Sequence, residues 1–157
     1  MKVVVQRVSQ ASVEVDDENI GKIGTGLLLL VAVHQDDDNA IMKWIADKIV
    51  KLRIFEDEGG KMNRSVLDEG AQLLVVSQFT LYGDVKKGTR PGFGRSAKPE
   101  KAERLYDEMV KYWRERYTIQ VETGLFGSMM NVSLVNHGPV TLIVEKNRES
   151  SGSQTSP

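Results

Sequence analysis

The chain has 157 residues and a mass of 17.5 kDa, the size of one ordinary domain. It is 40% hydrophobic and 27% charged, which is enough apolar material for a core and excludes wholesale disorder. Lys and Arg number 21 against 22 Asp and Glu, so the net charge of −1 excludes a globally basic nucleic-acid coat protein but not a local basic patch. There is no cysteine, which removes disulfides, thiolate metal ligands and a cysteine nucleophile. With His34 and His137 the only histidines, no metal site and no cofactor are expected. The longest apolar run, residues 27–33, is too short to span a bilayer, and Gln6 and Arg7 interrupt the N-terminal apolar stretch before a signal sequence can form. A soluble, cytoplasmic protein without membrane association is expected.

In chain order, Val3, Val5 and Val8, then Ala11, Val13 and Val15, carry the alternation of half-buried strands. Residues 16–19 form a turn cluster, and Ile20 to Ile23 a short return strand. Gly26 to Val33 reads as a fully buried central strand. Asp36-Asp37-Asp38 is expected to cap a helix over residues 38–52 as an otherwise solvated charge run, with Ile41, Ile45, Ile49 and Leu52 on the apolar face. Arg53 to Phe55 and Leu73 to Thr80 are further strands. Residues 84–99 have loop composition, and Pro99 opens a second helix with Ala102, Leu105, Met109 and Trp113 facing inward. Residues 118–123, 130–136 and 140–145 read as three closing strands, with His137 in a tight Gly-Pro connection. The pattern predicts an α+β fold: a barrel-like, mostly antiparallel β core with two main flanking helices. The domain is expected over 1–146, followed by a Ser-rich, disordered tail over 147–157.

The common chemical signatures are missing: no Gly-x-Ser-x-Gly elbow, no His-Glu-x-x-His and no phosphate-binding Gly-rich loop. Two stretches remain. Ser77-Gln78-Phe79-Thr80 brings polar groups to the end of an apolar strand, where sites are commonly built because backbone amides become free on a rigid sheet. Asn136-His137-Gly138-Pro139-Val140-Thr141 sits between apolar stretches, where a stiff turn can wall a site with carbonyls. Charge adds a third feature. Between residues 85 and 104, Lys86, Lys87, Arg90, Arg95, Lys98, Lys101 and Arg104 face only Glu100 and Glu103, which suits a phosphate-rich partner. A solvated helix face with a loop is the competing reading.

Taken together the motifs resemble the D-aminoacyl-tRNA deacylase family. The matching pieces are Val5-Gln6-Arg7-Val8, Leu52 to Asp57, Val76 to Leu81, Lys87-Gly88 with Arg90-Pro91, Val121 to Gly124, Phe126-Gly127, and Asn136 with Gly138-Pro139-Val140-Thr141. They follow the family's order over about residues 1 to 145. The resemblance implies a homodimer that hydrolyses the ester joining a D-amino acid, or glycine, to the terminal ribose of tRNA. It places Ser77, Gln78, Phe79 and Thr80 around the terminal adenosine and the ester. Gly138 and Pro139 become a Gly-cis-Pro element inserted into the other subunit's pocket, and Phe126 and Met130 line that pocket. Lys86, Lys87 and Arg90 are expected to meet tRNA phosphates. Rate is expected from backbone groups and the RNA's 2′-hydroxyl, with Thr80 ranked below them, and selection from rejection of L side chains. The departures are His137 in a slot where Asp is frequent, Gly92 after Arg90-Pro91, and Met129 before Met130. A non-catalytic RNA-binding barrel and a serine esterase using Ser77 with His137 are the rival readings.

Overall fold

The computed structural model describes residues 1–149; from residue 150 on, the tail expected to be disordered lies outside them. The 14-residue strand β1 (Lys2–Val15) is the spine of the sheet. One of its edges pairs first with β3 (Gly26–Ala32), then with β2 (Glu18–Ile23); the other edge pairs along nearly its whole length with β8 (Asn131–Glu145). Beyond β3 the sheet continues through β6 (Gln72–Ser77) to β7 (Val121–Thr123). It then curls until β2 comes against β6 and β7, and a Cβ on Gly21 would lie 2.6 Å from the Thr123 carbonyl oxygen. The α+β, barrel-like reading therefore holds. The sheet is mixed, however: β3/β6 and β6/β7 are parallel, because a chain segment crosses over between each pair.

Helix α1 (Asn39–Lys51) begins where Asp38 accepts a hydrogen bond from the Ile41 N–H at 2.9 Å, the expected cap. The neighbouring Asp37 corrects the expectation of a solvated run. It is buried, and its carboxylate accepts from the Met1 ammonium and the His34 N–H, both at 2.7 Å. Helix α2 (Pro99–Arg116) starts on its proline and packs on α1, with the Trp113 indole donating to the Ala46 carbonyl at 3.0 Å. Both helices cover one face of the sheet, where Leu27, Leu29, Leu73 and Val75 join Ile45, Ile49 and Leu105 in the main core. The other face carries a second cluster of Val13, Leu28, Leu74 and Val76, with Met130 and Val132 against it.

Three element readings change. Arg53 to Phe55 contributes only β4 (Phe55–Glu56), hairpinned to β5 (Met62–Arg64), which carries no apolar alternation to announce it. The strand expected to reach Thr80 stops at Ser77, and Phe79–Tyr82 forms one turn of 3₁₀ helix. The two strands expected at 130–136 and 140–145 are a single strand, so His137, Gly138 and Pro139 bulge from the middle of β8 instead of turning a hairpin.

The Tyr106 hydroxyl ties α2 to β6 by donating to the Val75 carbonyl at 2.7 Å, and burial pushes its phenol well above the usual range, so the donor stays protonated. The Gly124 N–H also reaches that carbonyl, at 3.0 Å. Tyr106→Phe therefore costs about 1 kcal/mol, the worth of one of two donors. Urea unfolding checks it; an unchanged midpoint contradicts the tie.

Candidate active site

Strand β6 ends against the open end of the barrel. The Gln78 N–H still bonds to the Val31 carbonyl at 2.7 Å, but the next residues wind into the 3₁₀ turn, whose first bond runs from the Leu81 N–H to the Gln78 carbonyl at 3.2 Å. The Phe79 and Thr80 amides lie ahead of that first bond. The turn borders a cleft of about 550 Å³. Val76, Ser77, Gln78 and Phe79 line it together with Phe93, Ser96 and the start of α2; Phe126 to Ser128 and Met130 complete the lining. The lining is mostly apolar, with the polar groups of Ser77, Gln78, Ser96 and Ser128 spaced around it, the composition of a small-molecule site. Met130 reaches the cleft because Gly124 has no side chain: a Cβ there would lie 2.7 Å from the Met130 sulfur. The same sulfur receives the Leu125 N–H at 3.4 Å. Thr80 does not line the cleft. Its hydroxyl takes a hydrogen bond from the Gln78 amide at 2.5 Å, just outside.

Gly138 and Pro139 lie elsewhere. Between Gln6 and Val8 of β1, the facing strand advances from Thr141 to Asn136, so residues 137–140 loop out opposite Arg7. The Gly138–Pro139 bond is cis. Arg7 is only 5% exposed, and its guanidinium donates to the His137 carbonyl at 3.0 Å and the Ile54 carbonyl at 2.8 Å. Gly138 has φ of +131°, and a Cβ on it would sit 2.8 Å from the Arg7 guanidinium, so glycine is required twice over. At the neck of the loop the Asn136 NH₂ donates to the carbonyls of Arg7 (3.0 Å) and Val140 (3.1 Å). Its oxygen accepts from the Thr141 hydroxyl at 2.9 Å and the Gln6 amide at 3.2 Å. The Val5-Gln6-Arg7-Val8 motif assigns Gln6 and Arg7 no role by itself. The available signal was a cation in the inward phase of an apolar strand.

Of the expected site residues, the structure gathers Ser77, Gln78, Phe79, Phe126 and Met130 around one cleft. Gly138 and Pro139 of the same chain stand apart from it. Lys86, Lys87 and Arg90 occupy an exposed loop closed by paired hydrogen bonds between Asp84 and Gly92 (2.7 and 2.9 Å), next to the cleft wall at Phe93. Phe93 and Ser96 belong to no site motif in the sequence, and only the path of that loop brings them to the cleft. The serine-esterase pair does not form within one chain. Ser77 is on β6 and His137 on β8, with β3 and β1 between them, three strand spacings or about 14 Å.

The family profile described as D-Tyr-tRNA(Tyr) deacylase matches residues 4–145, and the chain belongs to that family. It is 56% identical over 145 residues to a D-aminoacyl-tRNA deacylase of Shouchella clausii, covering 92% of this chain and 99% of that protein. It is 52% identical over 148 residues to one of Thermosipho africanus, covering 94% and 99%. A solved structure described as c-Myc DNA Unwinding Element Binding Protein superposes with a TM-score of 0.89 at 40% identity, over 94% of this chain and all of that one. A second, described as a probable eukaryotic D-amino acid tRNA deacylase, shares the fold at a TM-score of 0.78 and 19% identity. Among the described residues no helix is long and apolar enough to cross a membrane.

Arg7→Met leaves two part-buried or buried carbonyls without their charged donor. It is expected to lower the unfolding free energy by about 2–4 kcal/mol. Urea denaturation measures it; an unchanged unfolding free energy contradicts the bracing role.

Proposed function

We propose that the protein is a cytoplasmic editing esterase that hydrolyses D-aminoacyl-tRNA, with glycyl-tRNA also accepted, and that it works as a homodimer. The observation that carries this reading is the polar end of β6 opening into an aromatic cleft in a chain of the deacylase family. The terminal adenosine enters between Phe79, Phe126 and Met130, with the ester beside Ser77 and Gln78. Water adds through its oxygen to the acyl carbon, the bond from that carbon to the ribose oxygen breaks, and a proton passes to the ribose oxygen. The Phe79 amide, at the cleft wall, stabilises the oxyanion, and the adjacent ribose hydroxyl assists the proton transfer. An aminoacyl ester is already activated, so positioning can supply the rate without a side-chain nucleophile. Thr80, held by Gln78, shapes the turn.

Chirality is read by the second copy. Its Gly138 and Pro139 enter the cleft and occupy the volume an L side chain would need, so selection is by exclusion and glycine passes. A dimer is supported by β8. This 15-residue strand pairs only with β1 among the described residues, and it exposes Val135, Leu142 and Ile143, the last at 67%. A long apolar edge of this kind is normally covered.

Incubation with D-tyrosyl-, glycyl- and L-tyrosyl-tRNA is expected to release the first two and leave the third. Protection of all three would establish a nucleic-acid binder instead. Ser77→Ala and His137→Ala are expected to keep activity within about threefold, whereas loss of a true nucleophile or base costs several orders of magnitude. Removing the charges of Lys86, Lys87 and Arg90 is expected to flatten the salt dependence of tRNA affinity; each lost phosphate contact lowers the logarithmic slope by about 0.7–0.9. Ile143→Glu is expected to yield monomers in sedimentation and to abolish deacylation together; an active monomer would refute the shared site.

A further inference from the structure

The loop carrying Lys86, Lys87 and Arg90 does not simply hang beside the cleft. Its base, closed by the Asp84–Gly92 pair, leads at one end into Gly83 and the 3₁₀ turn, and at the other into Phe93. From there the chain returns to the 3₁₀ turn through two contacts. The Phe93 ring meets the Phe79 ring edge to face, with centroids 5.1 Å apart and planes at 67°. The Ser96 hydroxyl donates to the Phe79 carbonyl at 3.2 Å. Gly83 accommodates the first contact, since a Cβ there would lie 3.2 Å from the Phe93 ring. The far flank is anchored to the barrel by the Gln35 N–H to the Arg95 carbonyl and the Ala97 N–H to the Val33 carbonyl, both at 2.9 Å. A displacement of the basic loop thus has a short mechanical path to the peptide unit between Phe79 and Thr80.

We propose that Phe93 and Ser96 are positioning residues that couple phosphate binding on the basic loop to the backbone of the Phe79–Thr80 unit, so that the body of the RNA raises turnover at the ester. The proposal rests on the deacylase reading. Both rings are half-exposed, Phe79 at 52% and Phe93 at 37%, so their contact is free to tighten or part as the loop moves. Binding energy from parts of a substrate remote from the reaction is most useful when it fixes the reacting geometry, and truncated substrates then lose kcat as well as affinity.

The test compares kcat on D-tyrosyl-tRNA with kcat on 2′(3′)-O-D-tyrosyladenosine, which has the ester and base but no phosphates. The parent protein is expected to turn over the tRNA at least about tenfold faster at saturation. In Phe93→Ala this ratio is expected to fall to about two, and Ser96→Ala, which removes one hydroxyl and no packing, to fall partway. Phe93→Tyr, which keeps the ring, is expected to restore the parent ratio. If both substrates lose equally in Phe93→Ala and the ratio stands in Ser96→Ala, the two residues merely line the cleft and the coupling is overturned. If the parent protein hydrolyses neither substrate, the deacylase reading itself fails, an outcome distinct from an unchanged ratio.

Discussion

A buried guanidinium decides the shape of this molecule's longest strand pair. Arg7 lies in the inward phase of β1, where an apolar side chain would be expected, and its hydrogen bonds go to main-chain carbonyls of His137 and Ile54. Burying a cation is costly unless its donors are satisfied. One of the two carbonyls that satisfy it, that of His137, becomes available because β8 leaves the ladder at Asn136 and rejoins at Thr141. The loop and the arginine therefore support each other: without the loop the charge keeps only the Ile54 carbonyl, and without the charge the loop's inner carbonyl is orphaned. Gly138 passes the guanidinium closely, and Asn136 closes the neck, so a protruding segment acquires the stiffness of the sheet that bears it.

That mutual dependence explains what the sequence shows and what it conceals. Strand β3 and the two helices are legible because each buries a stripe or run whose period is local: Gly26 to Ala32 is apolar throughout, and α2 repeats its apolar positions every three or four residues from Ala102 to Trp113. The unity of β8 is not legible, because Gly138-Pro139 within a strand looks like a turn. Only the pairing of both flanks with β1 makes them one element, and pairing is a long-range fact. The burial of Asp37 is hidden for the same reason: its partner is the amine of Met1, 36 residues away. Parallel pairing of β6 with β3 and β7 leaves no local mark either. The cleft residues Ser77, Gln78, Phe79, Phe126 and Met130 were identifiable as a family pattern, while Phe93 and Ser96 needed the path of the 84–98 loop.

The cleft and the braced loop stand apart within one chain, and this separation has a geometric origin. Ser77 aligns with Val31, which faces Val3 near the start of β1, whereas the loop projects beside Arg7 and Val8 farther along the same strand and across it. A rigid sheet cannot bring these points together within a monomer. Under the proposed function, the loop of one copy meets the cleft of another. The exposed apolar positions of β8 lie on either side of that loop, where such an apposition would cover them.

In the proposed function, reliance on backbone suits the task of discriminating handedness. A side chain placed to recognise a D-residue would have to contact its variable group, and so would favour some amino acids over others. A steric wall at the L position contacts what all D-residues lack, and its selectivity depends on how little it yields. In the proposed function that wall is the Gly138-Pro139 loop, and the buried Arg7 and the four polar partners of Asn136 stiffen its base. The same economy applies on the cleft side. There the polar atoms of the 79–82 turn are held by the strand before it and by Ser96 beside it, which is the fixity that the proposed backbone-borne reaction centre calls for.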